Sequence, residues 1–446
     1  MKSSSRPFGF NLIGHASASA GLGVALRSLA KSILDRGHPV AILDVDADHW
    51  RAGHDLSLGS HLVKTAKELP YSINISTLSI TSLPNFIFDN PELFTEETLN
   101  IGYFWWELST LPEQWKKSLE IFDVLLAGSD FLYATYSQAV EDVFHIRIIP
   151  GLNLPNGVRA ARKQFGIEED AFVFICILEP TSDPIRKNPF SAIDAFQHAF
   201  TGNEKVRLIV KINNYSAFAA DDKNLAWLRD TAQADSRIRL FTESLSYIDA
   251  LNLYASSDVY VALHRSEGLG LGLMEAMLLG KPVIATSWSG NMSFMDHTNA
   301  CLVRYKLIPV NGSLAVYTVP YLGQSASWAE PNIMDAAAWM KSLFLDVNLA
   351  RQIGERAKKA IYLHLNFEAT SKWLDEIILI WDRAKTISAY SGADTSQKKA
   401  CLKKALLRHN MAKGERIRAR LHEMLERHLL WRLRSTTQAA EPEQRK

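Results

Sequence analysis

The sequence predicts an α/β protein with two doubly wound, Rossmann-like parallel sheets, each covered by helices on both faces. Short apolar segments alternate with helical patterns on both sides of a turn-rich segment at 150–157, and the 446-residue chain is too long for one ordinary core. Such alternation favours parallel strands joined by right-handed crossovers. We therefore expect one domain at 1–155, a second at 156–345, helices at 346–388 and a separate tail at 389–446.

The predicted elements follow in order. Strands are predicted at 8–13, 39–43, 101–105, 123–127 and 145–149 in the first domain, and at 171–178, 206–211, 238–241, 258–263 and 282–285 in the second. Helices are predicted after the small-residue loop 16–23, at 112–122, from 129, at 189–200, at 247–255 and up to Gly280, with three more over 333–384. Glycines that end helices, such as Gly37 and Gly280, are typical stop signals because they tolerate a left-handed backbone.

Composition excludes several functional classes. A hydrophobic content of 47%, with 22% charged residues and a net charge of +1, is typical of a globular protein and gives no reason to expect a nucleic-acid partner. The three cysteines, Cys176, Cys301 and Cys401, match no disulfide or metal-binding spacing, which favours a reducing compartment. Neither a signal peptide nor a long apolar segment is evident, so we expect a cytoplasmic protein.

Two carboxylates eight residues apart, Glu267 and Glu275, flank a glycine-rich loop. An apolar strand precedes Glu267, and the loop opens a helix that places Glu275 in its first turn. Ligands of α/β sheets bind at such strand ends, and the amides of Gly268, Leu269 and Gly270 can approach a sugar or a phosphate closely. We predict that Glu275 accepts hydrogen bonds from ribose hydroxyls and that Glu267 contacts the sugar of a nucleotide-linked sugar. The alternative is that both acids only complement the helix dipole.

Two cations, Arg186 and Lys187, follow the first strand of the second domain and precede a helix that begins with proline. A fixed cation there can stabilise the charge that grows on a departing diphosphate. Lys187 is the stronger candidate, while Arg186 either shares this role or points outward. The alternative for both is a pair of solvated loop cations.

The loop before the first helix ends in Gly21 and Gly23, which would let a phosphate or a transferred sugar approach the helix N-terminus. With Asp44 about 20 residues further on, it also half-matches a dinucleotide fingerprint, although Leu26 replaces the third glycine. The acids at 44–48 have no further acidic group assigned near them, so we predict a solvated strand end there and no catalytic metal.

Three other polar residues are candidates for the same crevice. Glu107 follows the aromatic run 103–106, whose rings either stack on a sugar or pack in the core. Asn291 lies in a small polar loop after a strand of the second domain, and His15 ends the first strand. His264 is interpreted as a structural histidine.

Together these residues resemble the retaining glycosyltransferases of family 4. The motifs that carry the resemblance are the Glu267-x7-Glu275 signature, Gly21-Leu-Gly23, Trp105-Trp-Glu-Leu108, Arg186-Lys-Asn-Pro189, His264-Arg-Ser-Glu267 and Trp328-Ala-Glu-Pro331. The resemblance implies the GT-B fold, in which two Rossmann-like domains face a cleft and the terminal helices cross back onto the first domain. The chain departs from the family pattern at two positions. Residues 178–182 stand where family members commonly have an arginine at a strand end, and Glu107 stands in the region where many members have a histidine.

The resemblance also implies an activity. The expected reaction is transfer of a hexose-type sugar from a UDP- or GDP-linked donor to a glycan or lipid-linked acceptor. It is expected to retain the configuration of the sugar and to need neither a metal ion nor a cofactor. By position, Glu275 is the ribose ligand, Glu267 the donor-sugar ligand and Lys187 the diphosphate cation. The alternatives from the residues are a non-catalytic nucleotide-sugar binder or assembly scaffold and, on Gly21, Gly23 and Asp44 alone, an NAD-dependent oxidoreductase.

The C-terminal tail differs from the rest of the chain, with 14 Lys and Arg against 5 Asp and Glu in 398–446. Apolar residues recur among these cations, as in a basic amphipathic helix. The pattern leaves open peripheral contact with the inner face of an anionic membrane, contact with a protein partner, and a solvated extension.

Overall fold

The structure is a computed structural model that describes residues 6–18, 21–45, 55–94, 98–202, 204–213, 215, 222–318, 322 and 326–390. The predicted basic tail from residue 391 onward, which includes Cys401, and the acids Asp46 and Asp48 lie outside these residues. Within the described part of the chain, no helix is both long and apolar enough to cross a bilayer.

The first half forms a seven-stranded sheet in the order β3-β2-β1-β4-β5-β6-β7, and every strand pair in it is parallel. Its strands are β1 (Phe10–Gly14), β2 (Val40–Asp44), β3 (Leu62–Val63), β4 (Ile73–Ser76), β5 (Leu99–Tyr103), β6 (Val124–Ala127) and β7 (Phe144–Arg147). Its helices are α1 (Gly21–Asp35), α2 (Leu83–Asp89), α3 (Glu113–Leu119) and α4 (Asp130–Ala139). The order reverses between β1 and β4, which opens a crevice at their carboxyl ends.

The second half repeats this plan with six parallel strands in the order β10-β9-β8-β11-β12-β13. Its strands are β8 (Phe172–Leu178), β9 (Val206–Ile212), β10 (Ile238–Phe241), β11 (Val259–Ala262), β12 (Val283–Thr286) and β13 (Cys301–Val303). Its helices are α5 (Pro184–Lys187), α6 (Pro189–Ala199), α7 (Lys223–Ala234), α8 (Tyr247–Ser256) and α9 (Leu271–Leu278). An antiparallel hairpin of β14 (Tyr305–Pro309) and β15 (Ser327–Pro331) follows.

Three helices end the described chain: α10 (Ile333–Leu345), α11 (Val347–His364) and α12 (Phe367–Tyr390). The last one packs on the first sheet rather than the second. Its Trp373 and Leu374 are buried in one cluster with Phe10 and Leu12 of β1 and with Leu26 of α1. The first domain's core therefore contains residues from both ends of the described chain.

The predicted class of two doubly wound domains is confirmed, and most predicted strands lie within two residues of the observed ones. Local signals explain this agreement. Ser129 caps α4, accepting a hydrogen bond from the Leu132 amide at 3.1 Å, and Gly37 and Gly280 have φ values of 76° and 72° beyond their helices.

The strand β4 was not predicted, because its centre is polar. Asn74 is buried, yet its side chain accepts a hydrogen bond from Asn11 Nδ2 at 2.8 Å and donates one to Asn100 Oδ1 at 3.1 Å. These asparagines lie on β1, β4 and β5 and link three adjacent strands. A buried polar side chain is tolerated when its hydrogen bonds are satisfied, but an apolar pattern does not reveal it.

Candidate functional site

The carboxyl edges of the two sheets face each other and are in contact. The Ser129 hydroxyl, after β6, donates a hydrogen bond to the Gly268 carbonyl at 2.5 Å, and the Asp130 amide donates one to Ser293 Oγ at 2.9 Å. A further hydrogen bond runs from the Ser266 hydroxyl to the Glu107 carbonyl. The loops after β5 and β6 therefore pack against the loop between β11 and α9 and the loop after β12.

The glycine-rich loop is held by close backbone packing. Gly270 caps α9 with a φ of 99°, and the amide of Glu267 donates a hydrogen bond to Ser289 Oγ at 2.8 Å. A Cβ added at Gly290 would lie 2.2 Å from the Gly268 carbonyl oxygen. The two loops thus meet backbone to backbone, which fixes the position of the Glu267 side chain between them.

This packing predicts that Gly290→Ala lowers stability. The new methyl group has no room beside the Gly268 carbonyl, so we expect a loss of about 1–3 kcal/mol and a fall of several degrees in the melting temperature. The matched control is Gly59→Ala, because no atom lies within 4 Å of a Cβ added there. Thermal unfolding of both variants measures the difference, and equal melting temperatures would contradict the packing described.

Glu267 lies between two cations. Its Oε1 is 2.5 Å from Lys187 Nζ, and its Oε2 is 3.5 Å from an Arg186 guanidinium nitrogen. Burial raises the pKa of this carboxyl, but the charges of Lys187 and then Arg186 outweigh burial and lower the pKa to about 2. Glu267 is therefore an ionised carboxylate at neutral pH although its residue is only 8% exposed.

One of the two alternatives predicted for Arg186 was that its side chain points outward. The structure contradicts that alternative. The residue is 2% exposed, and its guanidinium donates hydrogen bonds to the Ser266 carbonyl at 2.8 Å and to the Ser182 carbonyl at 3.1 Å. Burial lowers the pKa of Arg186, while Glu107, Tyr317 and Glu267 raise it above the ordinary value. The Lys187 side chain is 25% exposed and is the cation that can turn towards a ligand in the crevice.

Glu275 lies at the fifth residue of α9, not in its first turn as the sequence predicted. The helix begins only at Leu271, after the left-handed Gly270, so the bare amides of the helix N-terminus precede Glu275 by a full turn. The carboxylate instead accepts a hydrogen bond from the Tyr247 hydroxyl at 2.9 Å. Burial raises the pKa of Glu275 to about 7.

The start of α1 faces the start of α9 across the crevice. A Cβ added at Gly21 would lie 3.7 Å from the Leu271 side chain, and one at Gly23 would lie 2.0 Å from the Ala18 carbonyl oxygen. Arg27 fixes the loop before α1 by donating hydrogen bonds to the carbonyls of Ala16, at 2.7 Å, and Ala18, at 2.8 Å. Two helix N-termini therefore face each other near Glu275, an arrangement that suits an anionic ligand.

Other predicted residues have structural contacts. Asn291 is fully buried, donates to the Thr286 carbonyl at 3.0 Å and lies 3.1 Å from His264 Nε2, so it fixes its own loop. Leu269 belongs to the core of the second domain, and His15 is buried at the end of β1. The Asp44 carboxylate accepts a hydrogen bond from the Ser17 amide at 3.3 Å.

Two tyrosines at the site were missed in the sequence. Tyr247 contacts Glu275, and Tyr317 donates a hydrogen bond to Glu107 Oε2 at 2.6 Å. Tyr247 begins a predicted helix at a strand end, which was a usable signal. Tyr317 lies between the hairpin strands, far along the chain from Glu107, and no local pattern marks it.

Two other kinds of site are relevant to the described residues, a metal site and a surface cavity. Among the described residues, no three His, Cys, Asp or Glu side chains are close enough to share a metal ion. A surface cavity of about 470 Å³ lies at the opposite edge of the second sheet, lined by Arg207, Arg229 and Arg239 among others. None of the predicted site residues lines it.

Comparison with known proteins identifies the fold. A sequence model described as "Glycosyl transferases group 1" matches residues 204–309, from just before β9 to the end of β14. The search of curated proteins finds no match.

Solved structures match over most of the chain. HepE of Anabaena, crystallised with UDP and glucose, superposes with a TM-score of 0.61 at 14% identity over 83% of this chain and 99% of its own. Sucrose-phosphate synthase of Thermosynechococcus elongatus gives a TM-score of 0.59 at 13% identity, over 84% of this chain and 100% of its own. For α,α-trehalose 6-phosphate synthase of Burkholderia multivorans the TM-score is 0.57 at 10% identity, with coverages of 87% and 100%.

These likenesses show the class of architecture. The chain has the GT-B fold of two Rossmann-like domains with additional helices, as the sequence resemblance implied. The matched family segment contains Glu267 and Glu275 together with α8 and α9, so it covers the part of the second domain that carries the acidic pair.

Proposed function

We propose that the chain is a retaining glycosyltransferase that moves a hexose-type sugar from a nucleoside-diphosphate sugar to a glycan or lipid-linked acceptor without a metal ion. The observation that carries the proposal is the buried, ionised Glu267 held against Lys187 and Arg186. Glu275 lies nearby in the same crevice, beside two facing helix N-termini. This set offers a ligand for ribose, a ligand for a sugar and a cation for a diphosphate.

In this proposal Lys187 leaves Glu267 when the donor binds and neutralises the diphosphate oxygens. The bond between the sugar C1 and the diphosphate oxygen then breaks, and the acceptor oxygen bonds to C1 on the same face. The acceptor proton passes to the departing diphosphate, whose growing charge Lys187 stabilises. Arg186 stays on Glu267 and keeps that carboxylate ionised, so its role is to position rather than to touch the donor.

UDP-linked sugars are the first donors to test, because HepE was crystallised with UDP and glucose. We place the protein in the cytoplasm, with its basic tail in contact with an anionic membrane or a protein partner. Flotation of the full chain with vesicles that contain anionic lipid tests the membrane contact. A chain that stays at the bottom of the gradient at low salt would exclude it.

The deciding experiment is thermal unfolding of the full chain with UDP, GDP, ADP or NAD, each in EDTA. A ligand at about 100 times its dissociation constant stabilises the folded state by roughly 2.7 kcal/mol, which is a shift of several degrees. We expect a shift with UDP or GDP and none with NAD. A shift with NAD alone, or with no nucleotide, would reject the donor site, and nucleotide binding without transfer to any acceptor would favour the scaffold alternative.

A further inference from the structure

Between the hairpin strands lie residues 310–326, and several of those that the structure describes contact the first domain. We call this segment the arm; the structure describes its residues 310–318, 322 and 326. Four of its residues belong to a buried cluster whose other members include Leu78, Trp106 and Trp115 of the first domain; the four are Val310, Tyr317, Leu322 and Ala326. The arm therefore contributes to an apolar core that the first domain builds from the loop after β5 and from α3, β6 and α4.

Tyr317 is the central residue of this contact. Its ring stacks on Trp106 with centroids 5.5 Å apart and planes inclined by 12°, and its hydroxyl donates a hydrogen bond to Glu107 Oε2 at 2.6 Å. The Arg186 guanidinium lies 5.6 Å from the centre of the same ring. Tyr317 thus contacts two successive residues of the first domain and one cation of the second.

Glu107 connects the arm to the acidic pair. While Oε2 accepts from Tyr317, Oε1 lies 3.6 Å from an Arg186 nitrogen, and Arg186 in turn lies 3.5 Å from Glu267. From Glu107 through Arg186 and Glu267 to Lys187 the charges alternate, and Glu107 is the one member of this row that belongs to the first domain. Both oxygens of Glu107 have partners, Tyr317 and Arg186, so this predicted crevice residue makes contacts between the two domains.

Asp183 holds the arm against the helix that carries both cations. Its Oδ1 accepts hydrogen bonds from the amides of Ile185, at 2.8 Å, and Arg186, at 3.2 Å, and its Oδ2 accepts one from the Leu314 amide at 2.7 Å. Asp183 is fully buried and has a φ of 65°, an unusual conformation for this residue type. Asp183 therefore ties the arm at Leu314 to the first residues of α5.

We propose that Tyr317 and Glu107 are positioning residues that form a closure latch for the crevice; this rests on the proposed function. The latch exists only when the domains are closed, because Glu107 belongs to the first and Arg186 to the second. It keeps Arg186 as the permanent counter-ion of Glu267, so that Lys187 is free to move to the diphosphate. Chemistry should then depend on the latch much more than nucleotide binding does, because Glu275 and Lys187, the proposed ligands of ribose and diphosphate, both belong to the second domain.

Two variants separate closure from charge. Tyr317→Phe keeps the stack on Trp106 but removes the hydrogen bond to Glu107, and Glu107→Gln keeps an acceptor for Tyr317 but removes the charge that faces Arg186. The matched control is Tyr362→Phe, because Tyr362 is 59% exposed on α11. For each protein we would measure kcat, the dissociation constant of UDP and the radius of gyration by small-angle X-ray scattering.

For Tyr317→Phe we expect kcat to fall about tenfold, because one buried hydrogen bond is lost. The radius of gyration should increase, and the UDP affinity should stay within about twofold of that of the parent. For Glu107→Gln we expect a similar fall in kcat with an unchanged radius. Unchanged kcat in both variants, or UDP affinity that falls in step with kcat, would overturn the latch.

The test also separates the latch from the function on which it rests. If the parent chain transfers no sugar, the proposed function fails, and the radius of gyration alone decides whether Tyr317 closes the crevice. A Tyr317→Phe variant as compact as the Tyr362→Phe control would then reject the latch, and a more open one would support it.

Discussion

Replacing Lys187 with methionine should lower kcat by about 100- to 1000-fold, the range found when one charge-stabilising donor is removed from an active site. Methionine fills a similar volume but cannot stabilise the departing diphosphate. Glu267 keeps Arg186 as its counter-ion at 3.5 Å, so the variant retains one paired cation in the buried site. Initial rates with the donor that the nucleotide panel identifies measure the effect, and circular dichroism checks the fold.

The matched control for this variant is Lys205→Met. Lys205 belongs to the same domain and forms an ion pair with Asp170, but both side chains are well exposed. Exposed ion pairs contribute little to stability, about 0–1 kcal/mol, so this variant should remain folded. Because Lys205 is not one of the site residues, the variant should also keep full activity. A Lys187→Met enzyme with more than half of the parent activity would contradict the role proposed for this cation.

Glu275→Gln should make the protein more stable and less able to bind its donor. Burial raises the pKa of Glu275 to about 7 from an ordinary value of 4.5, so the ionised carboxylate is unfavourable in the folded state. The stability that this group contributes is fully present below its unfolded pKa and is lost as the pH rises through about 7. Glutamine does not ionise, and it should stabilise the fold by up to about 3 kcal/mol at pH 8.

The same change should weaken donor binding. Ribose hydroxyls donate to an ionised carboxylate more strongly than to a neutral amide, so the native affinity for UDP should rise with pH through about 7. In Glu275→Gln this rise should vanish, and affinity at pH 8 should fall about tenfold or more, as for a lost hydrogen bond to a charged group. Calorimetric titrations at pH 6 and pH 8, together with thermal unfolding, measure both effects.

Glu355→Gln is the control, since Glu355 is exposed on α11. Neither the stability nor the UDP affinity of this variant should differ from those of the parent. A Glu275→Gln protein that is destabilised at pH 8 would contradict the raised pKa of Glu275. One that binds UDP as tightly as the parent would show that this carboxylate does not bind the donor.

The sequence predicted those parts of the fold and site that depend on neighbours along the chain. Helix starts at Ser129 and Pro189, a helix stop at Gly280 and the glycine-rich turn after Glu267 are local signals, and they placed the acidic pair at the crevice of the second sheet. The position of Glu275 in α9 was wrong by about one turn. The reason is that Gly270 delays the start of the helix, which glycine spacing alone does not reveal.

Contacts between distant segments were not predictable in this way. The orientation of Arg186 depends on Ser266 and Glu107, and that of Glu107 on Tyr317, which is 210 residues away. The burial of Asn74 in β4 was unpredictable for the same reason, because its hydrogen-bond partners lie on two other strands. A single sequence contains these residues but no pattern that pairs them.

The return of α12 to the first sheet has a consequence for the order in which the chain can fold during synthesis. Residues of the first domain leave the ribosome first, but the core that contains Phe10, Leu12 and Leu26 is complete only when Trp373 and Leu374 arrive. The second domain draws its core from a continuous stretch of chain and can be completed earlier. The domain made first is therefore the last to finish folding, and until then its apolar surface is open to chaperones or to aggregation.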